Sequence, residues 1–232
     1  MTMTLRSAGA RGHANHGWLD SHHSFSFAHY FDPAHMGFRA LRVINDDIVG
    51  PGSGFPTHGH SDMEILTYVV EGALEHKDSA GNHTILQRGG VQQMSAGTGI
   101  RHSEFNASRT EPLRLLQIWI LPEKDGIKPG HRELVFSDDA KRNRLRLIAA
   151  PGGGEVLPIH QDARMYAALL DDGISVSHEI ETGRGVWVQV VAGEMTANGT
   201  RMAAGDGLSV ETAERIDFTA VGGVEFLLFD LA

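Results

Sequence analysis

The chain has 232 residues, 41% hydrophobic and 21% charged, which fits one large or two small globular domains and excludes a disordered polymer. Its formal charge of −9, from 29 acidic against 20 basic residues, offers no broad basic face for nucleic acid; only Lys141-Arg142, Arg144 and Arg146 cluster. It has no cysteine, which excludes disulfides, thiolate metal ligands and a cysteine nucleophile, so a reducing, cytoplasmic location is expected.

No apolar run reaches transmembrane length and residues 1–18 hold no apolar signal-peptide core, so no membrane role is expected. The 28 glycines against 8 prolines suit the many tight turns of an all-β fold. Five histidines precede Tyr30: His13, His16, His22, His23 and His29. Ser24-Phe25-Ser26-Phe27 alternates and predicts a short half-buried strand; Leu41 to Asn45 predicts another, with Asp46-Asp47 after it. Gly50 to Gly54 reads as loop. Strands follow over Ile65–Val70, Ala73–Lys77 and His83–Gln87, with a hairpin turn at Asp78 to Asn82 and a turn at Arg88-Gly89-Gly90. Ile100 starts a strand bearing His102 and Glu104, and Leu113 to Leu121 closes the first half.

Pro122 to His131 reads as a linker, Ser137-Asp138-Asp139 as the cap of one short helix, and Leu145 to Ala149 as a return to strand. The second half then repeats the first. Val190-Val191-Ala192-Gly193 echoes Val69-Val70-Glu71-Gly72, and Asn198-Gly199 stands where Gly81-Asn82 stood. The pattern predicts two tandem β-barrels with at most short helices: 1–122, a linker at 123–136, and 137–232. Counting back from Gly193 puts Glu179 and Glu181 at the counterparts of His58 and His60, with Ile216 standing for His102, so a metal-free second barrel is expected.

His58-Gly59-His60 and His102-Ser103-Glu104 carry the chemistry. Residues two apart on a strand share a face, so each pair can aim two donors at one point. Three imidazoles and a carboxylate suit a divalent first-row metal. Glu104 shares the face of His102; Glu64 is the rival fourth ligand, or else a residue that orients a ligand imidazole. His22, His23, His29 and His35 are candidates for the mouth of a pocket. Phe25, Phe27, Phe38 and Met94 are candidates for its wall or for barrel core, and His76, His83, His131, His160 and His178 for structural roles.

These residues resemble the cupins and, more closely, the pirin family. Gly52, His58, His60, Glu64 and Gly72 follow the first cupin motif, with one extra residue before the last glycine, and His102 with Asn106 the end of the second. Ser95-Ala96-Gly97 replaces the usual proline-x-glycine. Ser24 to Ala28, Asp32-Pro33, Arg42 to Asp47, Thr67 to Gly72 and Leu157 to Ala163 are also similar to pirins. The resemblance implies a bicupin with one metal in the N-terminal barrel, usually iron(II), with zinc, copper, nickel, manganese or cobalt as alternatives. It would be held by His58, His60, His102 and Glu104. It further implies a quercetin 2,3-dioxygenase that opens flavonols with O2, with Glu104 as general base. Beside it stand a non-enzymatic metal- or redox-sensing protein that binds a protein partner, and a sugar-binding or isomerase cupin. A monomer is expected.

Overall fold

A computed structural model describes residues 2–232. Nearly every element is a strand, and the one α-helix is Asp138–Lys141, whose cap is the expected one: Ser137 Oγ accepts the Ala140 N–H at 3.2 Å. Two sheets form the N-terminal half. The larger runs Gly130–Val135, Gly90–Ser95, Glu64–Glu71, Leu113–Ile120, Leu41–Val49, Leu19–His23 and Gly12–Asn15 in spatial order. The smaller runs Gly54–His60, Ile100–Asn106, Ala73–Asp78 and His83–Gln87. Leu74 and Leu86 from the smaller sheet share one buried cluster with Val49, Val69, Leu113 and Leu115 from the larger, which closes this half into a barrel. In the second half one nine-stranded sheet wraps its own core around Val188, Met195, Leu208, Phe218 and Phe226.

Glu64–Glu71 shows why the apolar run has no polar face: all of its residues but Glu71 are buried. Val69 faces into the barrel, whereas Leu66, Tyr68 and Val70 join Met165, Trp187, Leu227 and Phe229 in a core shared with the second half. A strand covered on both sides reads as a continuous apolar run. Turn chemistry also follows the sequence. Asp78 Oδ1 accepts the N–H groups of Ala80 and Asn82, fixing the expected hairpin turn. Gly72 and Gly193 occupy the same bend of the two repeats, each with positive φ, and a Cβ on either would strike backbone at 2.7 and 2.1 Å.

Four expectations are corrected. Ser24 to Phe27 is not a strand; the strand is Leu19–His23, and the residues after it leave the sheet to wedge between the halves. Their burial comes from contacts with the second half: Ser24 Oγ donates to Gln189 Oε1 at 3.0 Å, and the Phe25 ring lies 4.7 Å from that of Trp187. Asp46 and Asp47 lie inside Leu41–Val49 rather than after it. The expected linker 123–136 contains Gly130–Val135, which pairs with Gly90–Ser95. In return, Thr2–Arg6 pairs with Gly207–Glu211 of the second half, so each half contributes a strand to the other.

Counterpart positions are corrected by register. His102 lies opposite His58, and Ile216 opposite His178; Glu104 pairs with His76, and Phe218 with Ala197. His178 therefore stands where His58 does, Ile180 where His60 does and Phe218 where Glu104 does, while Glu179 and Glu181 are exposed. Counting from the glycines slips by one because four residues, Glu181 to Arg184, join Ile180 to Gly185, where three, Ser61 to Met63, join His60 to Glu64. Ile180, Ile216 and Phe218 fill the place of the donors with apolar core.

Candidate metal centre

His58 and His60 stand on Gly54–His60, and His102 and Glu104 on its neighbour Ile100–Asn106. A register shift between His102 and Glu104 twists the pair, so that the three imidazoles converge. His102 Nε2 lies 3.0 Å from His60 Nε2 and 3.1 Å from His58 Nε2. Protons alone cannot satisfy three ring nitrogens so placed, whereas two nitrogens at about 2.1 Å from one ion on perpendicular axes lie about 3.0 Å apart. The donor set fits a divalent ion.

The surroundings keep the His60 and His102 rings neutral, which a ligand requires. Burial, then the imidazoles of His102 and His58, lower the pKa of His60 to about 4. Burial and then His58 and His76 lower that of His102 to about 3. His58 Nδ1–H donates to Pro56 O at 2.8 Å, which turns Nε2 inward.

Glu104 is 2% exposed. Its Oε1 accepts from Thr67 Oγ1 at 3.2 Å and Gln92 Nε2 at 3.1 Å, and its Oε2 from Gln117 Nε2 at 2.8 Å. Ligating atoms of Glu104, His102 and His76 lie within 4.8 Å of one another. Glu64 goes elsewhere. Fully buried, its Oε2 accepts from Gln93 Nε2 and Ser95 Oγ, and its Oε1 lies 3.3 Å from His160 Nδ1 of the second half. No ligand imidazole is among these partners, so Glu64 ties the two halves together.

A second grouping, His13, Asp20 and His22, is a poor metal site. The His13 and His22 rings stack at 4.4 Å and 16°, so their in-plane lone pairs run side by side and do not meet.

His58, His60 and Glu104 border a cavity of about 900 Å³, and His102 lies buried behind them. Trp18, Phe27, Phe55 and Trp119 give it flat apolar walls, and Ser21, His23, Asn45, Asp47 and Gln117 a polar strip. Of the aromatic and sulfur candidates, Phe27 lines it, whereas Phe25, Phe38 and Met94 pack in cores. Of the mouth candidates, His23 and His29 line it, but His22 and His35 do not. Burial pushes the Asp47 carboxyl up to about 7, against a hydrogen bond from Ser21.

Thr67, Gln92 and Gln117, which hold Glu104, have no site role in the sequence reading. Their signal is a polar residue interrupting an otherwise apolar strand: Thr67 in Ile65–Val70 and Gln117 in Leu113–Ile120.

Residues 4–120 match the family model for Pirin, and residues 147–231 that for the Quercetinase C-terminal cupin domain. A quercetin 2,3-dioxygenase of Escherichia coli K12 is 53% identical over 228 residues, spanning 98% of this chain and 97% of its own. A pirin-like protein of Caulobacter vibrioides is 41% identical over 95% of this chain and 96% of its own. The crystal structure of the bacterial pirin YhhW of Escherichia coli in complex with nickel(II) superposes with a TM-score of 0.94 at 49% identity, over 99% of each chain. Sheet order, converging histidines and both matched segments agree, and the chain belongs to the pirin family, with two cupin domains.

Proposed function

We propose that this protein is a metal-dependent dioxygenase of the pirin type that opens flavonols such as quercetin with O2. One observation carries the reading: three imidazole nitrogens converge, and two of these rings with Glu104 border an open cavity of about 900 Å³, in a chain 53% identical to a quercetin 2,3-dioxygenase. A catalytic metal site keeps an open position, and the cavity favours the enzyme over the partner-binding protein. His58, His60 and His102 would hold one divalent transition metal with Glu104 as the fourth ligand. Iron(II) is favoured, and the nickel(II) complex of a relative supports a first-row ion of this class. When bound, the metal supplies a Lewis acid for the substrate oxygens and a redox partner for O2.

The chain does the rest. Trp18, Phe27, Phe55 and Trp119 clasp a flat aromatic and keep water from it. Glu104 accepts the proton of the flavonol 3-hydroxyl, with Thr67, Gln92 and Gln117 fixing its carboxylate. O2 then adds both of its atoms to the ring-opened product as one ring carbon leaves as carbon monoxide. The reading includes a cytoplasmic monomer. No helix among the described residues is long and apolar enough to cross a membrane.

Anaerobic quercetin should bind the metal-loaded protein, and admitting oxygen should bleach the flavonol band with release of carbon monoxide. Glu104→Gln should still bind flavonol but turn over roughly 10²–10⁴-fold more slowly. Absence of bleaching by the iron-, nickel- and manganese-loaded forms alike would hand the site to the partner-binding reading.

A further inference from the structure

Of the converging imidazoles, His102 has a second nitrogen, Nδ1, that is buried without a hydrogen-bond partner. A metal-facing imidazole normally donates its other N–H to an acceptor that fixes the ring, as His58 does to Pro56 O. Behind His102 stands His76, fully buried on the neighbouring strand Ala73–Asp78. The two rings are 5.4 Å apart, and they offer ring nitrogens within 4.8 Å of each other. No direct hydrogen bond joins the two Nδ1 atoms, and the separation leaves room for one water between the rings.

Tautomers agree with this placement. His76 Nε2 lies 3.3 Å from Asp78 Oδ2, and a carboxylate only accepts, so Nε2 carries the proton. His76 Nδ1 is left as an acceptor, and it too is buried and unpartnered. His102, with Nε2 turned to the other imidazoles, carries its proton on Nδ1. Two further unpartnered buried atoms belong to this neighbourhood. Thr84 is the cross-strand partner of His76, and the His131 ring stacks on His76 at 4.7 Å and 13°. Thr84 Oγ1 and His131 Nε2 bring the unpartnered atoms around His76 to four: His102 Nδ1, His76 Nδ1, Thr84 Oγ1 and His131 Nε2. Native interiors leave few such groups, and a buried water typically takes two to four partners.

We propose that one ordered water bridges His102 to His76, and that His76, oriented by Asp78, is a positioning residue for the metal-facing ring. The water accepts from His102 Nδ1–H, donates to His76 Nδ1 and His131 Nε2, and accepts from the Thr84 hydroxyl. The inference rests on His58, His60 and His102 as the set that holds the metal.

The test is a zinc titration against a competing chelator. His76→Leu removes the acceptor and should weaken zinc binding roughly 10–100-fold. His76→Asn keeps an amide oxygen near the place of Nδ1 and should recover most of the affinity. In zinc-loaded protein, the His102 Nδ1–H proton should exchange slowly in the parent and in the asparagine variant, but rapidly in the leucine variant. Zinc affinity within twofold of the parent in His76→Leu, or unchanged proton protection, overturns the proposal. Should His76→Leu not fold, Thr84→Val decides: weaker zinc binding than in His76→Asn supports the water, and the reverse order overturns it. A parent protein that binds no zinc, or binds it equally after His58→Ala plus His60→Ala, would overturn the metal-centre reading instead.

Discussion

A single carboxyl shows how a buried side chain couples the pocket to pH. Asp47 has a folded pKa raised by burial to about 7, while the unfolded chain ionises it in the ordinary carboxylate range. Below about pH 4 both states carry the proton and the group contributes no difference. As pH rises, the unfolded chain releases its proton first, so the folded state loses stability until pH passes about 7. The loss then levels off, on the order of 4 kcal/mol at most. In chelator-treated protein Asp47→Asn should raise the melting temperature at pH 8 and change it little at pH 4.5. An equal effect at both values would show that Asp47 is ionised throughout. The imidazoles give a second prediction: His58→Ala plus His60→Ala should abolish bound metal, by elemental analysis, while circular dichroism stays that of the parent, because apolar strands and not the ion hold the barrel. At this scale the histidines were legible, since i, i+2 spacing on strands is a direct geometric statement. Asp47 was not: nothing in Asp46-Asp47 tells that Asp46 pairs with Arg114 while its neighbour turns into the pocket.

The segment from Ser24 to Ala40 is the element that decides access to the site. Phe27 and Tyr30 lie over the cavity, and the fastenings of this roof reach into the second half. Arg6, on the strand paired with Gly207–Glu211, donates to Tyr30 Oη at 2.7 Å, and Arg39 donates to Gly183 O at 2.7 Å. The second barrel, with Ile180, Ile216 and Phe218 in the place of the donors, therefore holds the cover of its neighbour's pocket. Tyr30→Phe should raise KM for flavonol by up to about tenfold, the loss of one hydrogen bond to a charged group, with kcat and metal content unchanged. A KM within twofold of the parent would free the roof from this anchor. Sequence patterning reads Ser24 to Phe27 as a strand because alternation of Ser and Phe is equally produced by a chain wedged between two bodies, with all four residues largely covered. By contrast, His83–Gln87 was legible to the residue, because turn chemistry bounds it on both sides.

At the level of the whole molecule the two halves are not separable parts. Leu66, Tyr68 and Val70 share a core with Met165, Trp187 and Phe229, and the buried Lys141 Nζ meets Tyr68 Oη at 2.7 Å and Glu225 Oε1 at 3.2 Å across the seam. Residues 1–122 alone would leave Gly90–Ser95 an open edge and that core uncovered, so this fragment should aggregate on size-exclusion chromatography. A monodisperse, metal-binding fragment would contradict that. The tandem repeat was legible because both halves keep the same bend glycines and hairpins; the exchanged strands were not, since pairing over such sequence distance leaves no local trace. The pairing of Thr2 with Glu211 also sets an order in time. On the ribosome the first strand emerges long before its partner, and at ~5–20 residues per second it waits on the order of 10–40 s with unpaired backbone groups. Arg6 ends that strand and holds Tyr30, so the pocket can be roofed only after Gly207–Glu211 has been made. Until Gly207–Glu211 arrives, the waiting strand is an open edge.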